Sequence, residues 1–240
     1  MTGTILAATA LLLLSARPGS ADDSATSKGR REAQTALKPF AGLVGEWKGT
    51  GQPQRGSARG AWVESGGWSW KLSPDAAALE LKLSKGKLLK SARLRPGKNP
   101  DEFVLDAELA DGSKREFAGK RNGTKPLVLL ANPPVGDGPR RLTLSPLHDT
   151  RFLFLIETRA SGDSNYTRLA EVGYTRQGVA FAAGASYPLC IVTEGRGTTQ
   201  VAYQGKTYWV CCSGCKDLFN ENPAAILAEA ADRAKAKDKK

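Results

Sequence analysis

Histidine is almost absent from this sequence, since His148 is the only one among 240 residues. Most hydrolytic and general-base mechanisms use a histidine to accept a proton, so such reactions lack their usual group here. The motifs Gly-x-Ser-x-Gly and His-Glu-x-x-His and a glycine-rich phosphate loop are missing as well. His148 lies in the proline-containing segment 145–149, which predicts an exposed turn between two strands. The sequence therefore predicts a protein that is not an enzyme.

Cysteine is absent from the first 189 residues, and all four cysteines lie in the last quarter of the chain. They are Cys190, Cys211, Cys212 and Cys215. A disulfide framework would spread cysteines along the chain, whereas cysteines in one short region indicate a local metal site or a local disulfide.

Long apolar runs are also scarce, and the clearest one covers residues 5–14. This run is too short to span a bilayer but suits the central region of a signal peptide. Small residues follow at 19–21, and a polar stretch begins at Asp22. We expect residues 1–21 to be a signal peptide of a periplasmic or secreted protein without a membrane span in the mature chain. The segment 1–4 lacks Lys and Arg, so an N-terminal membrane anchor is the alternative.

The formal net charge is +11, and a basic surface attracts anionic partners in general. The basic residues are nevertheless scattered, apart from a cluster at the C-terminal tail, and no RNA-binding aromatic signature accompanies them. This pattern indicates a soluble basic surface and no specific nucleic-acid partner.

Two kinds of repeating pattern follow the predicted signal peptide. Residues 22–43 are polar and rich in helix formers, with Leu37, Phe40 and Leu43 spaced as one apolar stripe, which predicts a helix and linker before the first strand. Residues 44–180 show short alternating runs such as 103–109, separated by turn dipeptides such as Asp111-Gly112 and Asn122-Gly123. Nine or ten consecutive strands of this kind predict a mainly β fold, an antiparallel up-and-down barrel or a sandwich.

The first predicted strand contains Gly45, Trp47, Gly49 and Gly51 at alternate positions. This Gly-x-Trp-x-Gly-x-Gly segment resembles the start of nitrobindin-like and lipocalin-like barrels. The resemblance implies that Trp47 plugs the closed end of an up-and-down barrel, and that the interior is a cavity able to hold haem or another small apolar ligand. His148 does not match the position of the haem ligand in nitrobindin-like barrels, which argues against haem.

The segment 184–240 has the pattern of a small α+β module. A strand, a Gln204-Gly205 turn and a second strand lead directly into Cys211, and Cys215 follows one helical turn later. Asn222-Pro223 then predicts the start of another helix, with Asn as the cap. A loop cysteine, a strand-end cysteine and a helix cysteine can converge on one point, and a helix N-terminus stabilises the thiolate. Thiolates select Zn²⁺ and Cu⁺.

This module resembles the YHS/TRASH family, in which one cysteine precedes a hairpin and a Cys-x-x-x-Cys helix start. Twenty residues separate Cys190 from Cys211 and three separate Cys211 from Cys215, and both gaps fit the family. The resemblance implies a treble-clef-like module with Cys190, Cys211 and Cys215 as ligands of one Zn or Cu ion. The module departs from the family in having no histidine and Thr193 where a second cysteine is common. Cys212 is either a fourth ligand or a buried helix residue.

The function expected from the sequence is that of an exported metal-binding protein acting in metal sensing, trafficking or resistance. The alternative is a barrel that binds a lipid or haem-like molecule and carries a C-terminal module stapled by a disulfide. A thiol-dependent redox enzyme is a weaker alternative, because the thioredoxin-like βαβ context is missing.

Overall fold

The computed structural model describes residues 22–133, 138–177 and 187–238. The predicted signal peptide 1–21 and the first residues of the predicted module, 184–186, lie outside the described residues. Helix α1 (Asp22–Leu37) opens the fold and continues into a 3₁₀ helix over Lys38–Leu43. The predicted apolar stripe is confirmed, because Leu37, Phe40 and Leu43 are all buried against the core.

Ten antiparallel strands follow and form a closed barrel in sequence order, with β1 pairing to β10. The predicted mainly β fold and up-and-down barrel are therefore confirmed, and the sandwich alternative is wrong. The strands are β1 (Gly45–Gln52), β2 (Trp62–Leu72), β3 (Ala77–Ser84), β4 (Leu89–Pro96), β5 (Glu102–Leu109), β6 (Lys114–Lys120), β7 (Leu127–Ala131), β8 (Arg141–His148), β9 (Arg151–Thr158) and β10 (Thr167–Arg176).

His148 is not in the connecting turn, as the sequence predicted, but is the last residue of β8. It is paired with Arg151 across the β8–β9 hairpin, after a register shift that follows Pro146. The side chain is exposed, and its Nδ1 lies 2.8 Å from the hydroxyl of Thr150. The only histidine of the chain is thus a surface residue of a hairpin end.

The interior of the barrel is filled by its own side chains. Alternate residues of each strand point inward, as in β5, where Phe103, Leu105, Ala107 and Leu109 are buried and their neighbours are partly exposed. Many inward side chains have no surface accessible to a water-sized probe, and these include Leu79, Leu81, Leu94, Leu105, Phe117, Leu129, Leu142 and Phe154. A cavity beside these residues would leave them accessible surface, so this part of the barrel is a packed core and not the predicted cavity.

Trp47 is buried at the end of the barrel where β1 begins. Its indole Nε1–H donates to the carbonyl of Leu43 at 2.6 Å. The ring meets Phe152 edge-on at 4.8 Å, and the guanidinium of Arg176 lies over its other face at 4.2 Å. These contacts close one end of the barrel with an aromatic group whose polar atom is satisfied.

One carboxylate, Glu64, is buried inside the barrel with 4% of its surface exposed. Its oxygens accept hydrogen bonds from the hydroxyl of Tyr174 and from the indole N–H of Trp62, the latter at 2.6 Å. Burial, together with the Glu64 charge, raises the pKa of Tyr174 well above its ordinary value, so the hydroxyl keeps its proton. A buried carboxylate needs such donors, because its desolvation is otherwise costly.

The chain ends in a small hairpin and two helices. Strands β11 (Thr199–Tyr203) and β12 (Lys206–Val210) pair across a turn in which Gln204 and Gly205 both have positive φ, as a two-residue hairpin requires. Helices α2 (Ser213–Glu221) and α3 (Pro223–Asp238) follow, and the Asn222 side chain accepts from the N–H of Ala225 at 3.2 Å, which confirms the predicted cap. Among the described residues, no helix has the length and apolar character needed to cross a membrane.

The Glu64 cluster generates a stability prediction. Tyr174→Phe removes one donor from a buried carboxylate, and we expect the free energy of unfolding to fall by about 1–3 kcal/mol. Tyr166→Phe is the matched control, because Tyr166 lies at the surface with its ring against Arg141. Urea denaturation followed by tryptophan fluorescence measures both variants. Equal stability of the two variants would show that the hydroxyl of Tyr174 does not support Glu64.

Candidate metal centre

Cys190 is held in a tight turn that is anchored on β12. Its backbone N–H donates to the carbonyl of Gly195 at 2.7 Å, and its carbonyl accepts from Glu194 at 2.8 Å. The next residue, Ile191, donates to the carbonyl of Trp209 at 2.8 Å. These bonds fix the turn beside the end of the hairpin, and the Cys190 side chain is 1% exposed.

Cys211 and Cys215 reach the same place from the other side. Cys211 directly follows β12, and Cys215 lies in the first turn of α2. The three sulfur atoms of Cys190, Cys211 and Cys215 all lie within 4.8 Å of one another, and Cys211 Sγ is 3.5 Å from Cys215 Sγ. The structure therefore brings the three predicted ligands together, with 1%, 5% and 0% of their surfaces exposed.

The geometry of the three thiols fits a metal ion. Tetrahedral zinc has bonds to sulfur of about 2.3 Å, which places two ligating sulfurs about 3.8 Å apart. The 3.5 Å separation of Cys211 and Cys215 is close to that value. It is much longer than the disulfide bond length of about 2.05 Å, and all four cysteines are free. The cysteine cluster is therefore compatible with binding a metal ion.

Contacts within the cluster shift the pKa values of its thiols in opposite directions. Hydrogen bonds from Cys211, and next from Cys215, bring the pKa of the Cys190 thiol far below its ordinary value. The bond to Cys190 conversely raises the pKa of Cys211, and burial raises that of Cys215. The cluster thus stabilises a thiolate at Cys190, and a thiolate is the form that binds metal.

Cys212 lies next to these three cysteines but is not one of their group. It caps the N-terminus of α2 in an extended conformation and is partly exposed, so the expectation of a buried helix residue is wrong. Its sulfur accepts a hydrogen bond from the backbone N–H of Trp70 at 3.3 Å. Cys211 Sγ lies 3.9 Å away, which leaves Cys212 adjacent to the cluster.

The centre is built against the barrel. A Cβ atom on Gly214 would lie 1.7 Å from the carbonyl oxygen of Trp70, so only a glycine fits where α2 meets β2. On the outer side, Arg30 of α1 pairs with Glu229 of α3 at 2.6 Å. The cysteine segment thus packs against β2, and α3 is tied to α1.

Trp70 and Gly214 were the residues that sequence reasoning missed. In the sequence, Trp70 is one of several aromatic residues in predicted strands, and Gly214 is an ordinary residue near a predicted helix start. Their contact joins parts of the chain more than 140 residues apart, and no local pattern encodes such a pairing.

No family model matches the chain, and no curated protein sequence matches it.

The fit of Gly214 generates a second prediction. Alanine at a helix position usually stabilises by up to about 1 kcal/mol over glycine. Here the added methyl group would force α2 away from Trp70, and we expect Gly214→Ala to lower the free energy of unfolding by about 1–3 kcal/mol. Ser213→Ala is the control, because Ser213 is an exposed neighbour in the same turn. A Gly214→Ala protein at least as stable as the wild type in urea would contradict this packing.

Proposed function

We propose that the protein is an exported metal-binding protein that holds one Zn²⁺ or Cu⁺ ion through Cys190, Cys211 and Cys215. The observation that carries the proposal is the convergence of three buried sulfur atoms within 4.8 Å. Export is supported by the apolar run at residues 5–14 and the small residues that follow it.

The proposal accounts for the burial of three thiols better than a disulfide does. A disulfide joins two cysteines and leaves the third as a buried thiol with no function, whereas one ion uses all three. A soft cation also compensates the charge of the thiolates, which a dry site otherwise disfavours. The three cysteines meet in the order and on the elements that the YHS/TRASH resemblance implies, which supports membership of that kind of module.

Such a centre suits a protein that carries the metal ion as cargo. The group of three cysteines contains no histidine or carboxylate, and thiolate ligands favour soft and borderline ions such as Cu⁺ and Zn²⁺. We therefore place the protein in metal sensing, trafficking or resistance. The small-molecule alternative has less support, because the barrel residues described above form a packed core.

The test is a titration of the reduced full-length protein with Zn²⁺ against a competing chelator. Structural zinc sites gain about 10–16 kcal/mol, so we expect each of Cys190→Ser, Cys211→Ser and Cys215→Ser to weaken affinity by at least about 100-fold. Binding should also release protons, since thiols become thiolates, and affinity should fall as the pH is lowered.

Cys212→Ser is the matched control, with the same chemical change outside the group of three. We expect it to weaken equilibrium affinity far less than the other three changes. If the reduced wild type binds neither Zn²⁺ nor Cu⁺ better than the triple serine variant, the proposed function is wrong, and a structural disulfide becomes the better account.

A further inference from the structure

A cleft of about 870 Å³ lies between the barrel and the C-terminal hairpin, beside the cysteine cluster. Its walls come from β1, β2 and β3 on one side and from the cysteine segment on the other. The described residues that matter here are Glu46, Lys82, Arg176, Arg196, Cys211 and Cys212.

The cleft reaches the cysteine cluster from the surface. Cys190 and Cys215 do not line it, whereas Cys211 and Cys212 do. Cys211 is 5% exposed, and Cys212 is the partly exposed thiol of the pair. Cys212 is therefore the more exposed of the two cysteines in the cleft wall, and its sulfur lies 3.9 Å from Cys211 Sγ.

The position of Cys212 is fixed by the barrel. The N–H of Trp70 donates to its sulfur at 3.3 Å, and the backbone of Cys212 is extended at the N-terminus of α2. This bond holds the thiol at the border between the cleft and the cluster. A thiol with only a structural role would not need to face both the cleft and the cysteine cluster.

The cleft has more positive than negative charge. Arg176 and Arg196 lie in its wall and also line a smaller cavity of about 170 Å³ next to Cys211. Arg176 is held by the carbonyl of Val44 at 2.7 Å, and Arg196 lies over the ring of Tyr187 at 5.0 Å. Glu46 is the one carboxylate of the wall. Such a surface repels a free cation and attracts an anionic complex.

We propose that Cys212 is the entry ligand of the centre and takes the ion from a small anionic chelate bound in the cleft. This inference rests on the proposed function, because it needs the three buried cysteines as the final site. The expected cargo form is a carboxylate- or thiolate-bearing metal complex, since its negative charge matches the two arginines.

The transfer is a sequence of ligand exchanges without a change of oxidation state. Cys212 loses its thiol proton to solvent and donates a sulfur electron pair to the ion, while one chelator ligand leaves. Cys211 then loses its thiol proton to solvent and binds the ion across the 3.9 Å gap, and the remaining chelator ligands leave. Cys190 binds as the thiolate that the cluster stabilises, and Cys215 binds as its proton leaves to solvent. The bond to Cys212 then breaks, and Cys212 takes a proton back from solvent.

The experiment supplies Cu⁺ as its anionic bis-bicinchoninate complex to the reduced full-length protein and follows the loss of its colour by stopped flow. We expect Cys212→Ser to slow transfer by at least about tenfold, because serine is a poor ligand for Cu⁺, while Kd changes by less than about threefold. Ser84→Ala is the control, since Ser84 also lines the cleft, and it should transfer at the wild-type rate.

The charge of the cleft is tested in the same assay. Arg196→Gln should slow transfer from the anionic chelate several-fold at low salt, and the difference should shrink as salt screens the charge. Arg55→Gln removes the same charge from an exposed site outside the cleft and should leave the rate unchanged. Equal effects of the two changes would overturn the role of the cleft.

Alkylation with iodoacetamide and peptide mass mapping provides a readout that does not depend on copper transfer. We expect Cys212 to be modified first in the metal-free protein and to stay reactive after one equivalent of Cu⁺ is bound. Protection of Cys212 from alkylation in the loaded protein would make it a fourth ligand and overturn the proposal. An equal loss of transfer rate and of affinity in Cys212→Ser would lead to the same conclusion. An unchanged rate in Cys212→Ser would also overturn it, whereas a wild type that binds neither Cu⁺ nor Zn²⁺ would overturn the proposed function and this inference together.

Discussion

The backbone of Trp70 is the contact on which the arrangement of the cysteine centre depends. Strand β1 begins at Gly45, opposite Trp68, so the polar groups of Trp70 lie beyond the last residue that β1 can pair. The first turn of α2 occupies that place, with Cys212 accepting from the N–H and Gly214 fitting against the carbonyl. An unpaired strand edge at the end of the barrel thus positions a helix, and the helix positions two of the four thiols.

Burial of the three-cysteine group follows from this docking. Phe219 and Ile226 of the C-terminal helices belong to the same apolar core as the barrel residues, so the hairpin and helices cover the cluster from outside. Because water is excluded, charge in the cluster must be compensated by hydrogen bonds among the thiols or by a cation. The same contact leaves Cys212 at the surface of the cleft, where exchange with solvent species is open.

The sequence predicted most of what depends on local pattern. Alternation found the barrel, because it follows from the period of a strand. The group of Cys190, Cys211 and Cys215 was expected from the YHS/TRASH resemblance, and the period of a helix accounts only for the spacing of Cys211 and Cys215. Glu64 escaped prediction because a buried carboxylate depends on donors from distant strands. The docking of α2 on Trp70 was not predicted for the same reason.

X-ray absorption spectroscopy on the reduced, zinc-loaded full-length protein tests the central claim most directly. Its fine structure counts the sulfur atoms bound to the ion and measures their distance. The account predicts a shell of three sulfur atoms at about 2.3 Å, with any further ligand being a lighter atom. A shell made only of nitrogen and oxygen, or one with a single sulfur, would contradict a metal centre built from Cys190, Cys211 and Cys215.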